Sequence, residues 1–179
     1  MTRMAGVAVQ HDRARFAEVV LPHLAQAHRL ARWITGSATD ADDVVQEASL
    51  RAFRAIGSFG GANARAWVLT IVRNTASTWL TKNRAGPVAL AGDMPASVPE
   101  AEADPDTPEA VLLRQADAEA VRRAVAALPE PFREVIVLRE MDELDYREIA
   151  RVIDAPIGTV MSRLSRARRM LVDALGSPP

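Results

Sequence analysis

A proline-rich acidic segment divides this chain of 179 residues into two parts. Residues 86–108 hold five of the eleven prolines, and the stretch as far as Glu109 carries six acidic residues and no basic one. Prolines and like charges at this density oppose compact packing and favour an extended linker. The sequence therefore predicts two small domains, residues 12–85 and 108–176, joined by a flexible acidic linker over residues 86–107.

Composition places the chain among folded, soluble proteins. Apolar residues make up 49% of the sequence and charged residues 25%, a balance that excludes extended disorder. The lack of cysteine excludes disulfide scaffolds, thiol catalysis and cysteine-ligated zinc, and it fits a reducing compartment. The apolar stretches are too short for a membrane span of roughly 20 residues or for a signal peptide. We therefore expect a cytoplasmic protein without membrane insertion.

Apolar residues recur every three or four positions before the linker, which predicts three helices and no strands. The first helix carries Phe16 to Ile34 on one face and ends at Gly36. Thr39 and Asp42 resemble a capping box that opens the second helix. The predicted inner face of that helix consists of Val45, Ala48, Ala52 and Ile56. After a glycine-rich break, the predicted inner face of the third helix, about residues 62–83, consists of Ala64, Trp67, Ile71, Thr75 and Thr78.

The part after the linker also predicts helices only, so the expected fold class is all-α. Thr107 and Pro108 form a typical helix start, and Pro131 can begin a second helix. Asp145 and Glu148 form an acidic capping box for a short helix, which residues 154–156 interrupt. The apolar stripe of the last helix consists of Val160, Leu164, Ala167, Leu171 and Leu175.

The net charge of −1 conceals segments of opposite sign. Residues 51–84 contain six basic residues and no acid, and residues 158–172 contain four arginines and no acid. A short helix, a tight turn and a longer arginine-rich helix are typical of a helix-turn-helix, whose second helix lies in the major groove of DNA. The pattern alone also allows a solvated amphipathic helix without a nucleic-acid role.

Two sequence blocks stand in order on either side of the linker. The first is DADDVVQEASLRAFRAIGSF followed by ARAWVLTIVRNTASTWL, and the second is LPEPFREVIVLREMDELDYREIARVIDAPIGTVMSRLSRARRML. These blocks resemble domain 2 and domain 4 of bacterial sigma factors of the extracytoplasmic-function (ECF) group. The resemblance covers roughly residues 12–84 and 108–175, and it implies a promoter-specificity subunit of RNA polymerase that responds to stress.

The resemblance implies roles for particular residues of the first domain. Binding to the β′ clamp helices of core RNA polymerase maps to Asp43, Gln46 and Glu47. Capture of the melted minus-10 strand needs a pocket for flipped bases and positive charge for the backbone. The positions that correspond to this surface are Arg54, Phe59, Arg65, Arg73 and Asn74.

In the second domain, the resemblance implies minus-35 recognition by the outward face of the last helix. The corresponding residues are Ser162, Arg163, Arg166 and Arg168, with Arg139 as a further phosphate contact. Met161 and Ser165 depart from the family pattern, so the minus-35 specificity does not carry over. The family further implies the β flap and an anti-sigma factor as protein partners.

Enzymatic interpretations find little support in the sequence. His11, His23 and His28 lack the spacing of a metal site, and the acids around Asp42 suit a helix start better than a metal ion. We therefore expect no catalysis, cofactor, metal or small-molecule substrate. Two other interpretations stay open at this stage: a stand-alone helix-turn-helix regulator with a helical sensor domain, and a helical adaptor that binds only proteins.

Overall fold

A computed structural model describes residues 2–83 and 108–176, with side chains for residues 10–83 and 116–176. The predicted linker and Thr107 lie outside these residues. All regular elements of the described residues are helical. The first group comprises α1 (Thr2–Val19), α2 (Leu24–Thr35), α3 (Ala38–Ala55) and α4 (Ala64–Asn83). The second group comprises α5 (Pro108–Ala127), α6 (Glu130–Ile136), α7 (Tyr146–Val152) and α8 (Ile157–Gly176).

The predicted first helix is two helices. A 3₁₀ turn at Leu21–His23 separates α1 from α2, so the prediction of one continuous helix was wrong. Pro22 explains the break, because proline supplies no amide donor and disfavours helix in the residue before it. The predicted end at Gly36 is confirmed, since this residue has φ 75° and closes α2 with a bond to the Arg32 carbonyl.

The N-terminus of α3 also differs from the prediction. Ser37, rather than Thr39, is the capping residue, and its hydroxyl accepts a 3.3 Å hydrogen bond from the Asp40 amide. Thr39 therefore lies within the first turn of the helix and is exposed. The predicted inner face of α3 is confirmed, because each of its four residues is buried, Val45, Ala48, Ala52 and Ile56.

Helix α4 buries a wider face than the sequence predicted, and only Thr75 of the predicted inner face is fully buried. Thr78 is exposed, and Ala64, Trp67 and Ile71 are only partly buried. The most deeply buried residues are Ala66, Val68, Leu69, Val72, Thr75, Ala76 and Leu80. The physical reason is that α4 packs on two sides at once, against α2 and α3 and also against α7.

The second group follows its prediction except at the end of the last helix, where Leu175, predicted on the apolar stripe, is 47% exposed. Both hydrogen bonds of the capping box at α7 are present, each 2.8 Å long, between Asp145 and Glu148. Asp154, with φ 49°, turns the chain into α8. Between α6 and α7, residues Val137–Met141 form a π-helical turn. Such turns are rare in proteins and occur often at functional sites.

The two groups contact each other in this structure. Helix α4 packs against α7, and α2 packs against α6 and the π-helical turn. The buried apolar residues form one cluster that draws on both groups. Within the described ranges, no helix combines the length and the apolar character that spanning a membrane requires.

Candidate functional site

The outward face of α3 is acidic and accessible. Asp43 and Gln46 are exposed and Glu47 is partly buried, on the side of the helix away from the buried Val45. The Arg51 guanidinium donates a 2.8 Å hydrogen bond to Glu47, and this bond lowers the pKa of the Glu47 carboxyl. The structure thus brings the three residues predicted to bind the polymerase core onto one helix face.

An apolar groove of about 490 Å³ lies beside this face. Gln46 is among its lining residues, and the floor includes Phe16 and Phe53, whose rings meet edge to face at 5.6 Å. Leu50 and Phe53 remain 47% and 36% exposed. The sequence analysis missed this groove, although an apolar pair three residues apart on the outer side of a helix is an identifiable pattern.

The residues predicted to hold the minus-10 strand occupy three different environments. Arg54 and Asn74 are exposed. Phe59 is 7% exposed, and its ring lies 4.9 Å from the ring of Trp67. In this conformation the Phe59 ring therefore packs into the first group, and a base could stack on it only after the loop moved.

Arg65 and Arg73 project from α4 toward the second group. Arg73 Nε donates a 2.7 Å hydrogen bond to Glu134 Oε1. The Arg65 guanidinium donates to the backbone carbonyl of Asp142 and lies 4.0 Å from the Glu148 carboxylate. Two of the five predicted strand-binding residues are therefore paired with groups of the other domain.

Helices α7 and α8 have the geometry of a helix-turn-helix. The capping box fixes the start of α7, and the turn at Asp154 directs α8 across it. Val160, Leu164 and Ala167 form the buried stripe that holds α8 against α6 and α7. Because these positions follow one face of the helix, the arginines between them lie on the accessible side or at its edges.

The predicted minus-35 residues lie together on that side. Ser162, Arg166 and Arg168 are exposed, and Arg163 is partly buried. Arg168 forms a 2.8 Å ion pair with Glu140, in which both side chains are 49% exposed. Arg139 is farther from solvent, because it donates a 2.9 Å hydrogen bond to the Leu144 carbonyl and stacks over the Tyr146 ring. The exposed residues Ser162, Arg166 and Arg168 form a polar, basic surface about as wide as one helix, and the major groove of DNA admits a helix of this width.

An arginine-rich helix on a helix-turn-helix, beside a second helical domain, is typical of DNA-binding transcription proteins. Two family models match the chain: Sigma-70 region 2 over residues 19–86, and Sigma-70, region 4 over residues 118–171. The ECF RNA polymerase sigma-E factor of Escherichia coli (strain K12) is 39% identical over 139 residues, which are 74% of this chain and 72% of that protein. The RNA polymerase sigma-H factor of Pseudomonas aeruginosa is 34% identical over 173 residues, which are 92% and 88% of the two chains.

Two solved structures share the fold. The sigma factor RpoE, solved in complex with the anti-sigma factor NepR from Bartonella quintana, has a TM-score of 0.67 at 24% identity and covers 92% of this chain and 98% of its own. CnrH, solved in complex with the cytosolic domain of CnrY, has a TM-score of 0.66 at 24% identity and covers 98% and 96%. The family models and the sequence relatives show that the chain belongs to the ECF group of RNA polymerase sigma factors.

Proposed function

We propose that this sigma factor acts in the cytoplasm as a dissociable subunit that binds core RNA polymerase, captures the melted minus-10 strand and reads a minus-35 element. The observation that carries this proposal is the accessible face of α8, where Ser162, Arg166 and Arg168 are exposed while Val160, Leu164 and Ala167 are buried. Arginine in the major groove binds guanine edges or phosphates, and a short serine allows close approach of the helix to the bases.

Core polymerase would bind the acidic face of α3. Asp43 and Glu47 supply negative charge for a basic partner helix, and the neighbouring groove accepts apolar side chains. A charged rim around an apolar centre is typical of protein interfaces. The charge reversal Asp43→Lys should weaken core binding, whereas Glu18→Lys, which alters an exposed acid of α1, is the matched control.

Strand capture would use α4 and the loop before it. Arg54, Arg65 and Arg73 supply positive charge for the backbone, and Asn74 offers an amide to a flipped base. Phe59 contributes a stacking surface once the loop exposes its ring. These assignments require that Arg65 and Arg73 exchange their carboxylate partners for phosphates.

The experiment that tests the function is multi-round transcription with purified bacterial core RNA polymerase on a pool of genomic fragments from the source organism, with and without this protein. Discrete new transcripts that share upstream elements would support the proposal and supply the promoter. Binding to duplex DNA without any dependence on polymerase would instead favour the stand-alone regulator. The absence of core binding would reject the sigma-factor role.

An anti-sigma factor is the partner that we propose for regulation. The support is that the structurally similar RpoE was solved with an anti-sigma factor, and that the groove beside α3 offers exposed apolar side chains to a second protein. Double substitution of Leu50 and Phe53 by serine should reduce binding of such a factor in a pull-down assay. Retained binding by the double variant would place the partner on another surface.

A further inference from the structure

The loop between α3 and α4 consists of small residues with open space around them. We call residues 57–62 the glycine loop, because three of its six members are glycine, Gly57, Gly60 and Gly61. Gly61 has φ 83°, a backbone conformation that favours glycine. A Cβ atom at any of the three glycines would meet no atom beyond its chain neighbours within 4 Å. Neighbouring side chains therefore do not hold the main chain at these glycines in place.

Local hydrogen bonds fix the two ends of the glycine loop. Before its centre, the Ser58 hydroxyl donates a 2.7 Å hydrogen bond to the Ala55 carbonyl. After the loop, the Asn63 side chain accepts a 2.9 Å hydrogen bond from the Ala66 amide and caps α4. Residues 60–62 between these ends are exposed. The course of the main chain across the loop therefore depends on Phe59, its one buried residue.

Phe59 is held by a residue far away in sequence as well as by its neighbour Trp67. Its carbonyl accepts a hydrogen bond from Arg15 Nη2, across a separation of 44 residues. Arg15 lies in α1, and its side chain is partly buried. Helix α1 thus contacts the main chain of the loop that the proposed function assigns to strand capture.

Helix α1 is itself firmly packed at this point. Phe16, next to Arg15, meets Phe53 of α3 edge to face, and Val20, directly after the helix, is 1% exposed. The guanidinium is planar and presents its N–H donors in a rigid fork, so a packed helix gives these donors a defined direction. The hydrogen bond therefore relates the position of the glycine loop to the contact between α1 and α3.

We propose that Arg15 is a positioning residue for strand capture, which holds the main chain at Phe59 so that the glycine loop meets the minus-10 strand in one arrangement. The inference rests on the proposed function of this loop. Gly57 and Gly60 flank the held residue, and they allow the Phe59 ring to turn outward while its carbonyl stays bound. Without the bond, the loop would sample many arrangements, and strand binding would carry the entropic cost of ordering it.

The first test measures the glycine loop in the free, full-length chain. Because the sequence contains no cysteine, Ala62→Cys places a single spin label at an exposed position of the loop. Arg15→Met removes every donor of the side chain and should increase the mobility of the label, which sharpens its electron paramagnetic resonance lines. Arg13→Met is the matched control, since it removes the same charge from an exposed position of α1. Equal mobility in Arg15→Met and the parent chain would overturn the proposal.

The second test measures strand capture by the holoenzyme. The probe is a promoter recovered from the transcription experiment, with 2-aminopurine at a minus-10 base, whose fluorescence rises when the base leaves the stack. Arg15→Met should weaken binding of the minus-10 strand roughly three- to fivefold, as expected for the loss of one hydrogen bond, and should slow the rise in fluorescence. Affinities for core polymerase and for minus-35 duplex should match those of Arg13→Met. Unchanged or tighter strand binding in Arg15→Met would overturn the proposal.

Salt dependence distinguishes a positioning residue from a direct phosphate contact. Loss of one phosphate contact reduces the slope of log affinity against log salt by about 0.7 for a single strand. A residue that acts through the main chain of the loop leaves this slope unchanged, which is the result we expect for Arg15→Met. A reduced slope would assign Arg15 to the DNA and overturn the positioning role. If the parent holoenzyme binds no strand while Arg15→Met still mobilises the label, the proposed strand capture itself is rejected, and the role of Arg15 with it.

Discussion

The two basic surfaces of the molecule, on α4 and on α8, look alike in sequence and differ in structure. Each comes from a run without acidic residues. On α8, Arg166 is exposed, whereas on α4, Arg73 is 28% exposed and paired with a carboxylate from the other domain. A run of like charges thus reports the sign of a helix face but not its accessibility. The difference arises from segments far away in sequence, which supply the carboxylates.

The core of domain 4 depends on single buried residues of its last helix. Leu164 is 1% exposed and holds α8 against the rest of domain 4. Leu164→Ala should lower the free energy of unfolding of this domain by about 2–5 kcal/mol, because it removes transfer free energy and leaves a cavity. Urea unfolding, followed by a probe in each domain, measures the effect.

The same experiment shows whether the domains unfold together. Because the buried apolar cluster draws on both domains and the ion pairs between them are buried, Leu164→Ala should also lower the midpoint of the domain 2 transition, and added salt should change this coupling little. The matched substitution in domain 2 is Leu30→Ala, at a fully buried position of α2. Independent transitions of the two domains in both variants would contradict a shared core.

Asp142 gives the protein a predictable dependence on pH. Its pKa rises from 3.8 to about 6 on folding, mainly through burial, while Arg29 and Arg65 partly oppose the shift and Glu148 lies in the same cluster. Between these values the folded protein holds a proton that the unfolded chain releases. The free energy of unfolding should therefore fall by at most about 3 kcal/mol as the pH rises from about 4 to 6, and then level off.

Denaturant unfolding of the parent chain and of Asp142→Asn across this range measures the effect. The difference in unfolding free energy between the two proteins should change in favour of Asp142→Asn as the pH rises. Glu140→Gln, which alters a half-exposed carboxylate of the same turn, should follow the parent chain. Parallel curves for the parent and Asp142→Asn would show that the carboxyl titrates normally.

Much of the fold was predictable because local chemistry determines it. The glycine at the end of α2 and the capping box of α7 each act over a few residues, and both predictions are confirmed. Pro22 marks the break between α1 and α2 in the sequence as well. The apolar period continues across this proline, however, and therefore predicts a single helix. The inner face of α4 was not predictable locally, because α7 packs against its second side.

A substitution of Arg166 tests the basic surface of α8, which is the accessible one of the two basic surfaces. Arg166→Ala should weaken binding to minus-35 duplex by about 1–3 kcal/mol and reduce the salt dependence of binding, because an arginine that contacts base or phosphate is lost. The matched control is Arg123→Ala, an exposed arginine of α5 away from the helix-turn-helix. A salt titration on the promoter duplex measures both, and equal affinities would remove Arg166 from the DNA-binding surface.

The candidate site was only partly predictable for a related reason. Sequence pattern and resemblance place Asp43, Glu47 and the α8 arginines on accessible faces, because those faces depend on one helix each. The acids that pair with Arg73 and Arg29 are Glu134 and Asp142, which approach domain 2 only in the folded chain. No local sequence pattern marks an acid that pairs across domains.

The smallest expected effect concerns the start of α3 and distinguishes the sequence prediction from the structure. Ser37→Ala should lower the free energy of unfolding of domain 2 by about 1 kcal/mol, because it leaves the Asp40 amide without its capping oxygen. Thr39→Ala should change stability by less than about 0.5 kcal/mol, since Thr39 is exposed and alanine is the better helix former. Urea midpoints of the domain 2 transition measure both substitutions. A larger loss of unfolding free energy for Thr39→Ala than for Ser37→Ala would support the capping box at Thr39 that the sequence alone predicted. The first turn of α3, the helix that carries the polymerase-binding face, would then begin at a later residue.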